Sequence, residues 1–230
     1  MEAKRHYSFE PFGTRSTEPH VLWRHDVDLS VHRAARLAGI EAEEGVAATY
    51  FFSFHSAFYN LLEQPVTELA RQIVGAGPHR LGLHFDTSFY GTIGSEDDLG
   101  EKIAAEAGML GDLLEAPVEA FSFHNPGVVN DDLAFDADEI SGLHNAYGRT
   151  LRDRYTYVSD ANGYWRFQRL IDVLSAGTDE RLHVLTHPGW WQAEPMPPRA
   201  RIARCADGRA ARVLQEYDEV LARIGRQNIR

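Results

Sequence analysis

Short apolar runs alternate along this chain with segments of helical spacing. Val21 to His25 is the first run. From Ser30 to Glu44 the apolar positions Val31, Ala34, Ala35 and Ala38 recur at helical intervals, with Ser30 placed as an N-cap. Ala47 to Phe54, rich in β-branched and aromatic residues, predicts a buried strand, and Val66 to Val74 after Pro65 predicts the next helix. Leu81 to Phe85 is a third strand candidate. Glu96 to Leu114 is helical in pattern, though Gly100, Gly108 and Gly111 interrupt it, and Ala120 to His124 is a fourth strand. The segment from Pro126 to Asp153 is polar and poorly periodic, which predicts a long excursion partly covering whatever site the fold builds. Tyr155 to Ser159 then reads as a strand, Phe167 to Leu174 as a helix and Leu182 to Thr186 as a strand. Ala210 to Ile224 is a terminal amphipathic helix with Val213, Leu214, Tyr217, Val220, Leu221 and Ile224 on its apolar side. The alternation predicts βα units around a mostly parallel sheet.

Histidine closes the strand candidates ending at His25, His55, His84, His124 and His187. In α/β folds the loops above one rim of a parallel sheet build the active site, so repeated ligand-type residues there predict an enzyme, specifically a metal-dependent hydrolase.

At 230 residues the chain can bury one full core, and residues 1–230 are read as one domain. Asp and Glu number 34 against 23 Lys and Arg, a formal charge of −11, which disfavours nucleic acid and anionic membranes as partners. Cys205 is the only cysteine, so a disulfide framework and a multi-cysteine zinc site are excluded. The start, MEAKRHYSFEPFG, has no apolar stretch of signal-peptide length, and no later run approaches the roughly 20 residues that cross a bilayer; a cytoplasmic location is expected. Neither a phosphate-binding glycine loop nor a Gly-x-Ser-x-Gly elbow is present.

Arg24-His25-Asp26-Val27-Asp28 is the densest cluster. If Val27 continues the strand, Asp26 and Asp28 point to one side, one able to ligate a divalent metal and the other to accept a proton. The structural alternative is that Asp28 caps the helix at Ser30 while Asp26 pairs with Arg24. His84 precedes Phe85-Asp86, and His124 precedes Asn125-Pro126, where the proline favours an extended Asn125. Two imidazoles and a carboxylate make a shell that leaves positions open for water and substrate. His187 is placed to donate a proton to a leaving group, and Trp190 and Trp191 to stack on a sugar or other ring. Asp160 is expected as an orienting carboxylate, with Arg166 as its partner or a substrate anchor. His25 and His55 are weaker candidates, His25 orienting the site from behind.

From Trp23 to Trp191 these residues resemble the polysaccharide deacetylase-like superfamily, carbohydrate esterase family 4, in a divergent branch carrying Arg-His-Asp-Val-Asp. The resemblance implies a distorted (β/α) barrel, with Asp26 as general base, Asp28 as metal ligand and His187, in Leu185-Thr186-His187, as general acid. The family's histidine-rich metal motif matches at His84, but Ser88 stands where a second histidine would follow; His124 is the expected third ligand and Asp86 the second choice. Implied is removal of an acetyl or formyl group from the amide nitrogen of a soluble sugar or related small molecule, with Zn²⁺ the first choice of metal. Another metal-dependent enzyme (cyclic amide hydrolase, lyase or isomerase) and an inactive carbohydrate-binding domain are the alternatives.

Overall fold

The computed structural model describes residues 3–126, 136–165 and 167–229. After a two-residue strand β1 (Ser8–Phe9), three βα units and a further strand follow: β2 (His20–Asp26) with α1 (Val31–Glu43), β3 (Thr49–Phe52) with α2 (Gln64–Gly75), β4 (Arg80–Phe85) with α3 (Glu96–Leu114), and then β5 (Val118–Phe123). A hairpin of β6 (Glu139–Ile140) and β7 (Leu143–Asn145) comes next, then α4 (Arg149–Arg154), β8 (Thr156–Ser159), α5 (Leu170–Ala176), β9 (Arg181–Thr186) and the long α6 (Pro198–Arg223). Among the described residues the strands form one sheet in the order β6-β7-β5-β4-β3-β2-β9-β8, with β1 alongside the start of β2. Every pairing is parallel except β6 with β7. The sheet curls into an incomplete, distorted (β/α) barrel.

Alternation along β2 sorts the two faces. Val21, Trp23, His25 and Val27 point outward to the helices, whereas Leu22, Arg24 and Asp26 point into the barrel. The largest core lies outside the sheet, where Tyr50, Phe52, Leu81, Leu83, Phe85, Phe121 and Phe123 meet Val31, Ala38, Ala70, Ile73, Ile103 and Leu110 of α1 to α3. Inside the barrel Phe12, Leu22, Phe51, Ala120 and Ala146 form an apolar plug. Phe51 stands opposite Gly82 in register, and a Cβ at Gly82 would lie 2.5 Å from its ring. Only glycine leaves room for that ring.

His25 lies behind Asp26, on the outer face of the sheet, and is hydrogen-bonded to the residue before His187. It is fully buried on the outer face, with Nε2 2.7 Å from Glu41 Oε1 of α1 and Nδ1 2.7 Å from Thr186 Oγ1. His55 borders a cavity that Asp28 and His124 also line, and its ring is 2.9 Å from Glu106 and stacked on Phe89.

Several elements differ from their sequence pattern. Helix α3 runs unbroken through its three glycines; Gly100 admits Ser141 of the hairpin, whose hydroxyl donates to the Gly100 carbonyl at 2.8 Å. The excursion after Pro126 contains β6, β7 and α4, elements too short for periodicity to reveal, while residues 127–135 lie outside the described residues. Helix α5 begins at Leu170, leaving Phe167 93% exposed. Helix α6 starts at Pro198, well before Ala210, because proline suits a first helical position and the arginines after it are good helix formers. It therefore contains the half-buried Cys205. Its apolar side, including Val213, Leu214, Tyr217, Val220 and Ile224, is exposed. Polar anchors hold it instead: Arg201 donates to the Met196 and Trp190 carbonyls, and Arg209 pairs with Glu63. No helix among the described residues is long and apolar enough to cross a membrane.

Gly82→Ala should destabilise the fold by about 1–3 kcal/mol through overpacking against Phe51. Urea unfolding checks this, and an unchanged midpoint would contradict the close Phe51–Gly82 packing.

Candidate active site

Parallel strands place their carboxyl ends on one rim, and five of them supply this site. Asp26 ends β2 and Asp28 lies two residues beyond it, with Val27 turned out into the core as strand alternation requires. His84 is the penultimate residue of β4, while His124, Asp160 and His187 each directly follow their strands β5, β8 and β9.

Asp28 Oδ1 lies 3.0 Å from His84 Nε2 and 3.7 Å from His124 Nδ1, and those two nitrogens are 3.1 Å apart. Donors around one zinc ion at 2.0–2.1 Å in tetrahedral geometry stand about 3.3 Å apart, so the triangle is of the right size. Asp28 Oδ1 is buried and accepts no well-formed hydrogen bond. A carboxylate oxygen in that state calls for a cation. Burial disfavours the Asp28 anion, but the His84, His124 and His187 imidazoles more than offset this and hold its pKa far below the usual carboxylate range. Asp28 in turn pushes the His124 pKa up, against the effect of burial. The three residues form the group among the described residues able to hold a metal ion.

His84 Nδ1 lies 2.7 Å from Ser122 Oγ, its register partner on β5, and that hydroxyl is placed toward Asp26 Oδ1 at 3.5 Å. With Ser122 accepting from Nδ1–H, the Nε2 lone pair of His84 is free for a metal. Ser122 was not singled out in the sequence. Its signal was there in Phe121-Ser122-Phe123-His124, since period-2 alternation puts Ser122 and His124 on one face.

Asp26 is buried and clamped by Arg24, which donates from Nε and Nη2 to the two carboxylate oxygens at 2.8 and 2.7 Å. Arg24 Nη2 also donates to Tyr147 Oη at 2.9 Å, and the guanidinium lies over the Phe51 and Tyr147 rings. Burial disfavours the Asp26 anion, and the Arg24 and His84 charges overcome this and lower its pKa. Asp26 is therefore a carboxylate near neutral pH. The Arg24–Asp26 pair of the structural alternative exists, yet Asp26 also borders the cavity that holds Asp28, His84 and His187. Tyr147 falls in the poorly periodic stretch, where no sequence signal marks it.

His187 Nδ1 lies 2.6 Å from Asp160 Oδ1, which also accepts from the His187 backbone N–H at 3.1 Å. Trp191 Nε1 donates to Asp160 Oδ2 at 3.0 Å. Asp160 is thus tied to the histidine; Arg166, its expected partner, lies outside the described residues. Burial opposes the imidazolium, but Asp160, with Asp28 and Asp26, holds the His187 pKa up at about 9. His187 Nε2 faces Asp28 Oδ2 at 3.8 Å.

The remaining candidates separate. Asp86 Oδ1 accepts from the Ser88 N–H and hydroxyl at 2.9 and 2.6 Å and stands outside the three-donor group. Trp190 borders the cavity that holds Asp26, Asp28, His84 and His187, whereas Trp191 borders only a neighbouring apolar one. Asn125 has φ +49°, not the extended backbone expected before proline; asparagine tolerates this left-handed region, and its carboxamide lies 2.8 Å from His124 Nε2.

The structure resembles carbohydrate esterase family 4 proteins. A CE4 family pseudoenzyme of Bacillus anthracis, in a mutant with restored enzymatic activity, matches at 16% identity and TM-score 0.49, over 87% of this chain and 64% of that one. A family 4 acetyl xylan esterase from Clostridium thermocellum, in complex with a cobalt ion, matches at 16% identity and TM-score 0.46, over 90% and 92%. A peptidoglycan N-acetylglucosamine deacetylase matches at 13% identity and TM-score 0.49, over 91% and 87%. This chain thus spans under two thirds of the pseudoenzyme's length. No family model matches it, and no curated protein does.

In metal-free protein, Asp160→Asn should bring the His187 titration down from about 9 toward the ordinary histidine range, read by NMR of the imidazole. Because the folded pKa exceeds the unfolded value of about 6.5, this pair stabilises the fold fully below that pH and loses its contribution as pH rises through the folded pKa. An unmoved titration in the variant would show that Asp160 does not set it.

Proposed function

We propose that the chain is a metal-dependent hydrolase that removes an acetyl or formyl group from an amide nitrogen of a sugar or related small molecule. The convergence of Asp28 Oδ1, His84 Nε2 and His124 Nδ1, within 4.8 Å of one another beside two oppositely poised proton-transfer groups, carries this reading. The donor set, two imidazoles and one carboxylate, suits Zn²⁺ and leaves room for further ligands. When bound there, such an ion supplies Lewis acidity toward a carbonyl oxygen and makes a nearby water more acidic.

The protein's own groups do the rest. Asp26, kept anionic and immobile by the two-pronged Arg24 contact, accepts the proton from the attacking water. Its low basicity suits a water already made acidic. His187 enters the reaction as an imidazolium, and Nε2 is its free nitrogen because Nδ1 is held by Asp160. Proton donation from Nε2 lets the departing nitrogen leave as a neutral amine as the carbon–nitrogen bond breaks. Ser122 fixes the His84 ring, and Trp190 offers an apolar ring face beside the reacting groups. A cavity of about 290 Å³ encloses Asp26, Asp28, His84 and His187, enough for an acyl group and the atoms next to it.

Protein reconstituted with Zn²⁺ should carry one equivalent by plasma mass spectrometry and release amine from N-acetylated sugars. Asp28→Ala should lose both metal and turnover. Asp26→Asn should keep the metal and lose about 100-fold or more in kcat, and His187→Ala should behave similarly. Full metal content in Asp28→Ala would overturn the ligand assignment. A zinc-replete wild type that releases no amine across acetylated and formylated amino sugars would overturn the reaction and favour a binding domain.

A further inference from the structure

Two of the three donor residues, Asp28 and His124, stand where two cavities meet. The inner one contains Asp26, His84 and His187; the outer one, about 520 Å³, is bordered by Ser53, Ser56, Asp86 and Arg199. Asp28, His124, Asn125, Asn162 and Trp190 line both, so a molecule with its scissile bond at the donors extends into the outer cavity.

Arg199 is the one Lys or Arg lining either cavity among the described residues. It makes no hydrogen bond or ion pair there. Its helix neighbours differ: Arg201 is bound to backbone carbonyls, Arg204 to the Gly189 carbonyl, and Arg209 to Glu63. The nearby Asp86 is turned onto Ser88 and does not neutralise Arg199. An unpaired, exposed guanidinium on the outer cavity, in a chain of net charge −11, is suited to a carboxylate or phosphate brought from outside.

Asn125 and Asn162 give an independent indication. They adopt φ of +49° and +60°, two of the four non-glycine residues with positive φ among the described residues, and both border the cavity junction. Asparagine takes up this left-handed region readily, and here it places two amide side chains at the junction. The Asn162 carboxamide has no hydrogen-bond partner among the described residues, which leaves donors and an acceptor for hydroxyl groups.

We propose that the outer cavity takes the parent portion of the substrate and that this portion is anionic, its carboxylate or phosphate held by Arg199 and its hydroxyls by Asn162. The position of the scissile bond rests on the acyl-hydrolase reading; the anion subsite rests on the cavity and Arg199.

Calorimetric titration of the zinc-loaded full chain with N-acetylglucosamine, its 6-phosphate and N-acetylmuramic acid tests this, with amine release scored in the same samples. At least one anionic sugar should bind about tenfold or more tightly than the neutral one, and which anion does so distinguishes phosphate from carboxylate. Arg199→Ala should abolish that difference, and Arg199→Lys should retain part of it. Equal binding of the three sugars, no binding by either anion, or discrimination that survives Arg199→Ala would overturn the proposal. Discrimination without amine release would leave the anion subsite standing and overturn the hydrolase reading. Amine release without discrimination would do the reverse.

Discussion

Curling of the sheet is the constraint from which the site follows. Strands β2 and β5 are three places apart, which in a flat sheet separates them by about 14 Å, yet their ends bring Asp28 Oδ1 and His124 Nδ1 to 3.7 Å. Closure on that scale needs an interior of the right volume. Phe12, Leu22, Phe51, Ala120 and Ala146 fill the lower part, and the missing side chain of Gly82 lets the Phe51 ring lie across β4. A larger plug would splay β2 from β4 and β5, pulling Asp28 away from both histidines. A smaller one would leave Arg24 without the aromatic surface on which it rests.

Above the plug the interior turns polar, and its charges are arranged in opposition. Arg24 compensates Asp26, while Asp160 compensates His187, so a carboxylate and an imidazolium coexist in one cavity with each held in its charged form. Of the carboxylates that line this cavity among the described residues, Asp28 is the one with a buried oxygen left without a proper hydrogen bond. The same face-sorting explains His25. One residue from Asp26, it points the opposite way and ties β2 and β9 to α1 through Glu41 and Thr186.

Alternation of apolar runs and helical spacing was enough to read the βα architecture and the rim on which Asp26, Asp28, His84, His124 and His187 stand, because parallel strands put their carboxyl ends together whatever the strand order. The strand order itself was not legible: β9 inserts between β2 and β8, a long-range pairing that no local pattern encodes. Nor were the partners. Asp160 was read as an orienting carboxylate, but its attachment to His187 depends on β8 lying beside β9, and Tyr147 reaches Arg24 only through a stretch without periodicity. The true start of α6 was hidden because its arginines bind carbonyls and Glu63 and leave no apolar stripe to read.

The proposed reaction requires one divalent ion among two imidazoles and a carboxylate. X-ray absorption fine structure at the zinc edge of the reconstituted protein tests it most directly. Nitrogen and oxygen neighbours at about 2.0–2.1 Å, with outer-shell scattering from two imidazole rings, are the expected result. A sulfur neighbour, a single imidazole or none, or zinc bound only by water-like oxygen would contradict the claim.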